Sequence, residues 1–437
     1  MADDLKYYWQ ALGINMLWNS YPIIFILRDG FGIGPSGSTF TILYWGVGIL
    51  LMMPFNIFRP LYLPNKMLFI CWFSFIVLGW VYYKYYPSLG GAAEPIREIL
   101  TYVIPLVFLF AAMYYPNEKT RIILIVMVFY SVVASAGLLY SLSKDPYWTF
   151  GERAAIKFAA NTQNSNPHAY ANNALCGVLA SVIVAARVKN ILGKVFYYLI
   201  AIFSLGVLIL ARTNISILGL GVMVLIYLFL NGRAAVSALF SVKTLSVIAV
   251  VYGIIAFVLA QFWYATYALQ VYFDALMSRF GKVLYTVAGV QVNEQSAEID
   301  YSSVNRVYSF KYVFEIFLGE GSWGTILFGE GYKAQFFDVP ALEALVNQGV
   351  LGFVLFNSFF LVMGIIAVQQ FFKPASDLSL FMAYFSIIVL IALFSGARPI
   401  DLSMWLVYVF YIRFFGIYFT PSQSQLSTSP KMQPTAA

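Results

Sequence analysis

Runs of apolar residues, each about as long as the hydrocarbon core of a bilayer is thick, alternate with short polar breaks along nearly the whole chain. An α-helix needs about 20 such residues to cross a membrane. Runs of that class fall near 10–27, 40–58, 66–86, 98–115, 121–142, 168–187, 194–211, 213–230, 243–265, 341–369, 377–395 and 400–419. The pattern predicts an all-α polytopic protein of about twelve membrane-spanning helices. Two connections are too long for turns, 143–167 and 266–340. The second contains stretches of helical spacing, "YFDALMSRFGKVLYTVAG" and "VNRVYSFKYVFEIFLGEG", which predict a partly helical cap between the ninth and tenth spans.

Composition agrees: with 61% hydrophobic and 10% charged residues among 437, the chain exceeds what one soluble core can bury. The opening "MADDLKYYWQ" lacks a basic leader and a small-residue cleavage site, so the first span is expected to be a retained helix. The expected organisation is nine spans in 1–265, the large loop over 266–340, three spans in 341–420 and a disordered cytoplasmic tail at 421–437. With the N-terminus inside, thirteen Lys and Arg fall inside, Arg413 among them, against eight in short outer connections, which favours cytoplasmic termini. Cys71 and Cys176 lie within apolar runs and read as small apolar residues. The net charge of +7 reads as loops facing anionic lipid rather than as a nucleic-acid surface.

The outer side is rich in arginine: Arg28, Arg97, Arg153, Arg212, Arg279, Arg306 and Arg398. Arginine's rigid fork grips phosphate or carboxylate oxygens at two points. Arg212 and Arg398 sit in hairpins too short to move, "ART" and "GARP", and read either as interfacial anchors or as ligands to an anionic substrate. In "NTQNSNPHAYANNALCG", Asn166 is a candidate cap before Pro167, and the sole histidine, His168, reads as either a structural residue or a base. In "LFGEGYKAQFFDVPALEALVNQGVLGF", glycines bracket a turn leading to Asp338, which reads as a helix cap or a general base. Glu343 and Asn347 fall on one helical face one turn apart.

Three of these stretches, "GERAAIKFAANTQNSNPHAYAN", "ARTNISILGLGVMVLIY" and "NRVYSFKYVFEIFLGEGSWGTILFGEGYKAQFFDVPALEALVNQGVLGF", resemble in order and character the O-antigen polymerase and ligase superfamily, the Wzy-type polymerases in particular. The resemblance covers residues 151 to about 356. Two departures bear on it. Ligases of the superfamily usually place a histidine where this chain has Asp338-Val339, which suits a polymerase better, and the hairpin arginine comes earlier, at Arg212 rather than after Thr213.

What the resemblance implies is a bacterial inner-membrane glycosyltransferase with a GT-C-like fold, joining undecaprenyl-pyrophosphate-linked oligosaccharide repeats at the periplasmic face. O-antigen or another lipopolysaccharide or surface polysaccharide would be the product, and a chain-length regulator a possible partner. On this reading Asp338, Arg306 and His168 are catalytic, while Arg212, Arg279, Arg153, Arg398 and Asn166 bind substrate. No cofactor, metal or nucleic acid is expected. The alternatives are a ligase that transfers glycan to lipid A core, and a twelve-helix flippase or transporter of lipid-linked oligosaccharide.

Overall fold

The computed structural model describes residues 2–33, 38–54, 58, 60–87, 95–145, 148, 152–156, 166–239, 253, 267, 270–271, 273–274, 277–278, 301–394, 396 and 398–417. Among them there are helices and turns but no strand. The helices are α1 (Ala2–Trp18), α2 (Tyr21–Ile24, continuing as a π-helical turn over Phe25–Gly30), α3 (Ser38–Met52), α4 (Lys66–Tyr85), α5 (Pro95–Ala112), α6 (Thr120–Lys144), α7 (Pro167–Arg187), α8 (Ile191–Ala211), α9 (Asn214–Leu239), α10 (Tyr301–Lys311), α11 (Trp323–Phe328), α12 (Pro340–Phe372), α13 (Asp377–Ala392) and α14 (Leu402–Phe414). Seven helical stretches among the described residues are long and apolar enough to cross a membrane. This is the architecture of a polytopic helical membrane protein. Apart from residue 253, the ninth expected span at 243–265 lies outside the described residues, as do Arg279 and the tail at 421–437.

Several expected spans are shorter or interrupted, for local reasons. The first is broken at Asn19–Ser20, where Pro22 at the start of α2 withholds a backbone donor. Helix α3 stops at Met52, two residues before Pro54, and α14 is confined between Pro399 and Gly416, which turns with φ +68°. At 13 residues α14 spans only about 20 Å.

Helix α7 packs along α6 and α8, α1 against α3 and α6, α12 against α4 and α13, and α14 against α5. Polar side chains staple the interior. Asn19 donates to Asn173 Oδ1 at 2.8 Å, and Ser131 donates to the Asn173 carbonyl at 2.8 Å. In hydrocarbon such groups need protein partners, so these bonds fix the register of α1, α6 and α7. Arg413, counted by sequence among the charges of the cytoplasmic side, is fully buried. It donates to the carbonyls of Ala112 at 3.0 Å and Tyr115 at 2.5 Å and to Asn117 Oδ1 at 2.9 Å, closing the C-terminal end of α5.

The other end of the bundle is organised by an extended segment over 329–339. Helix α12 breaks at Gly349, which adopts φ +67° and ψ −168°, and Gly329 adopts φ +76° and ψ −173°. That region is accessible essentially to glycine alone. Each glycine also marks a backbone contact: a Cβ on Gly349 would lie 2.1 Å from the Leu327 carbonyl oxygen, and one on Gly329 2.5 Å from Asn347 C. Carbonyls just before the break, Val346 and Asn347, accept from Glu330 N at 2.8 Å and Gly331 N at 3.1 Å. Asn347 exchanges two side-chain bonds with the Gln335 backbone, at 2.8 and 3.0 Å, and Glu343 accepts from Phe337 N at 3.0 Å. The shared face of Glu343 and Asn347 therefore holds this segment. Val313, Phe317, Phe337 and Val346 form a small separate core beneath it.

The segment is pinned on its other side to α4 and α5. Lys333 Nζ lies 2.8 Å from both carboxylate oxygens of Glu98, and Tyr332 Oη donates to the same carboxylate at 2.6 Å. Glu98 is 1% exposed. Removing one member of such a buried pair costs about 3–5 kcal/mol, because the other charge is left without compensation. Thermal unfolding in detergent should therefore show E98A destabilised by about 3 kcal/mol, with K333M added to E98A recovering part of the loss. Additive losses in the double variant would show that the pair is not coupled.

Candidate functional site

Two adjoining cavities open at the end of the bundle where the 329–339 segment docks. The deeper one, about 500 Å³, is walled by Trp18, Tyr21, Asn166, His168, Asn172 and Ser403 among others. Its floor is made by the interruption in the first span, since Asn19 and Ser20 line it directly. Discontinuous membrane helices commonly occur where backbone faces a cavity rather than lipid. Asn166 caps α7 by accepting from His168 N at 2.9 Å, as its place before Pro167 predicts. Asn172 accepts from Ser216 Oγ at 3.1 Å, which ties the cavity wall to the start of α9. Two of the expected site residues, Asn166 and His168, line this opening, and the charges of two more, Arg153 and Arg306, act on His168.

The outer cavity, about 610 Å³, is lined by Tyr21, Thr41, Trp45, Arg97, Glu98, Thr101, Lys333, Phe336, Arg398 and Asp401 among others. It holds three cations and two carboxylates. Glu98 is occupied by Lys333. Arg97 and Arg398 form no ion pair with any described carboxylate, and Arg398 lies over the Phe336 ring at 3.8 Å. A guanidinium held flat on an aromatic face keeps its N–H edge for a further ligand. Excess positive charge in a concave, partly desolvated space favours an anion.

Tyr21 and Asp401 line both cavities. Asp401 caps α14: its Oδ1 accepts from Ser403 N at 2.7 Å and from Ser403 Oγ at 2.5 Å. Trp405 Nε1 donates to the Pro399 carbonyl at 2.8 Å and fixes the turn that carries Arg398 and Asp401.

Of the remaining expected residues, Asp338 and Arg212 stand apart from these two cavities. Asp338 lines neither; its backbone carbonyl accepts from Gly396 N at 2.6 Å, joining the docked segment to the Arg398 turn. Nor is it the cap of α12, a position taken by Val339 with no side-chain bond. Arg212 is 3% exposed and ends α8 in the left-handed conformation, φ 48° and ψ 48°. The same turn is secured by Ala154 N donating to the Leu210 carbonyl at 3.1 Å. It is thus packed inside the rim, not extended toward headgroups. Arg97, Lys333 and Asp401 were not singled out by sequence as site residues. Arg97 and Lys333 carried only a charge signal within larger sets, and Asp401 a cap pattern with Ser403 two places on.

No protein-family model and no curated protein matches this sequence. Fold and site together define a polytopic all-helical membrane protein with a cationic, two-chambered opening at one end.

The left-handed backbone at Arg212 costs an ordinary residue about 1–2 kcal/mol and glycine almost nothing. R212G should accordingly unfold at higher temperature than R212A, by about 1 kcal/mol in stability, because only the alanine keeps the backbone cost. Equal stabilities would place the whole effect of Arg212 in its side chain.

Proposed function

We propose that the chain is a glycosyltransferase that polymerises lipid-pyrophosphate-linked oligosaccharide repeats at the extracytoplasmic face of a bacterial inner membrane. The observation that carries the reading is the outer cavity with two arginines that form no ion pair among the described residues, adjoining a deeper, largely apolar chamber that also presents amide, hydroxyl, imidazole and aromatic groups. The first suits a pyrophosphate at the membrane surface and the second a sugar. The sequence resemblance to Wzy-type polymerases supports the same assignment.

In this reading Arg97 and Arg398 grip the donor's pyrophosphate. A hydroxyl oxygen of the acceptor repeat attacks the anomeric carbon of the donor, the bond from that carbon to the phosphate oxygen breaks, and the electron pair leaves with the lipid pyrophosphate. Negative charge grows on the leaving group as the bond breaks, so guanidinia beside it stabilise the transition state more than the ground state. His168 and Asn166, with Arg153 and Arg306 nearby, face the sugar in the deeper chamber. The donor is already activated, so the transfer needs no nucleotide.

The test is incubation of the purified protein with a synthetic undecaprenyl-pyrophosphate-linked oligosaccharide repeat, with products resolved by chain length. A ladder of repeats is expected, and R97A and R398A should each slow its formation by about 100-fold. Transfer of finished glycan only to a lipid A core acceptor would replace the reading with a ligase. Absence of any ladder, with movement of the substrate across vesicles, would replace it with a transporter.

A further inference from the structure

The proposed transfer releases one proton, from the attacking hydroxyl, and needs a group placed between donor and acceptor to take it. The group must border both chambers, because the reacting oxygen comes from one and the anomeric carbon from the other. Tyr21 and Asp401 meet that condition among the residues lining them. Tyr21 is a phenol, whose oxygen already carries its proton at neutral pH, whereas Asp401 brings carboxylate oxygens that can accept one. Glu98, the other carboxylate of the outer cavity, has both oxygens engaged by Lys333 and one also by Tyr332. At Asp401 both hydrogen bonds fall on Oδ1, and Oδ2 accepts none from the described residues. Its position is fixed by its place at the head of α14 and by the Trp405 contact with the Pro399 carbonyl. His168 borders the deeper chamber alone, and Asp338 borders neither.

We propose that Asp401 is the catalytic base of this protein, its Oδ2 taking the proton of the acceptor hydroxyl as that oxygen bonds to the donor's anomeric carbon at the junction of the two chambers. The electron pair of the broken carbon–oxygen bond leaves on the lipid pyrophosphate, held by Arg97 and Arg398, and the proton then passes to water or to that phosphate. The assignment rests on the polymerase reading above and adds to it the direction of transfer: donor pyrophosphate in the chamber lined by Arg97 and Arg398, acceptor in the deeper one.

The experiment compares wild type, D401N and D401S as purified full-length protein with the same synthetic lipid-linked repeat. Asparagine and serine both serve as helix caps, so α14 keeps its N-terminal bond in either variant while the base is lost. Both variants are expected to unfold within a few degrees of wild type and to bind undecaprenyl pyrophosphate within about threefold of it. Chain extension should fall at least 100-fold, the lower end of what a positioned general base contributes. A stable D401N or D401S that extends chains at close to the wild-type rate overturns the assignment and leaves the polymerase reading intact. So does loss of undecaprenyl pyrophosphate binding in step with the rate, since that marks Asp401 as part of the binding wall. Wild-type protein that makes no ladder overturns both.

Discussion

The docking of the 329–339 segment between α12, the C-terminal end of α4 and the N-terminal end of α5 is the constraint on which the rest of this end of the bundle depends. Two glycines in a conformation closed to other residues let backbone meet backbone at Gly329 and Gly349, where any side chain would stand between them. The break at Gly349 lies directly after the carbonyls that receive the segment, so one irregularity both bends the long helix and supplies the acceptors. Glu98 and Lys333 then hold the other edge with a buried charge pair. Such a pair contributes little net stability by itself, but it penalises any docking that would separate the charges.

From that docking follows the shape of the opening. The segment brings Phe336 under Arg398 and sets Lys333 against Glu98, which removes one cation and one anion from the outer cavity's balance and leaves the arginines to define its potential. Gly396 bonds to the Asp338 backbone, so the turn bearing Arg398 and Asp401 is located by the segment as well as by α14. The deeper chamber has a different origin: it exists because Pro22 interrupts the first span and because Asn172 and Asn173 face inward from α7. Two independent breaks in helical regularity thus meet at Tyr21 and Asp401.

Opposite ends of the bundle use arginine in opposite ways. Arg413 has three hydrogen bonds to backbone and amide oxygens and is part of the packing, whereas Arg97 and Arg398 line a cavity and form no ion pair among the described residues. Burial distinguishes these roles, and residue type does not.

The sequence by itself determined the class of protein and the location of most helices, because the length and apolarity of each run are local properties and a bilayer imposes one length on all of them. It also determined the cap at Asn166, a bond between neighbours. The Glu343 and Asn347 pair was legible as a face, but the partners of that face, 6 and 12 residues back along a chain that doubles over itself, were not. Breaks at Asn19 and Gly349 left little trace in hydropathy, since a single turn out of helical geometry does not change the apolarity of a run. Only the tertiary structure decided which arginines share a cavity, which one is buried in the rim, and that Asp401 rather than Asp338 borders both chambers. Those are relations between helices far apart in sequence, set by packing and charge pairing, and no local pattern encodes them.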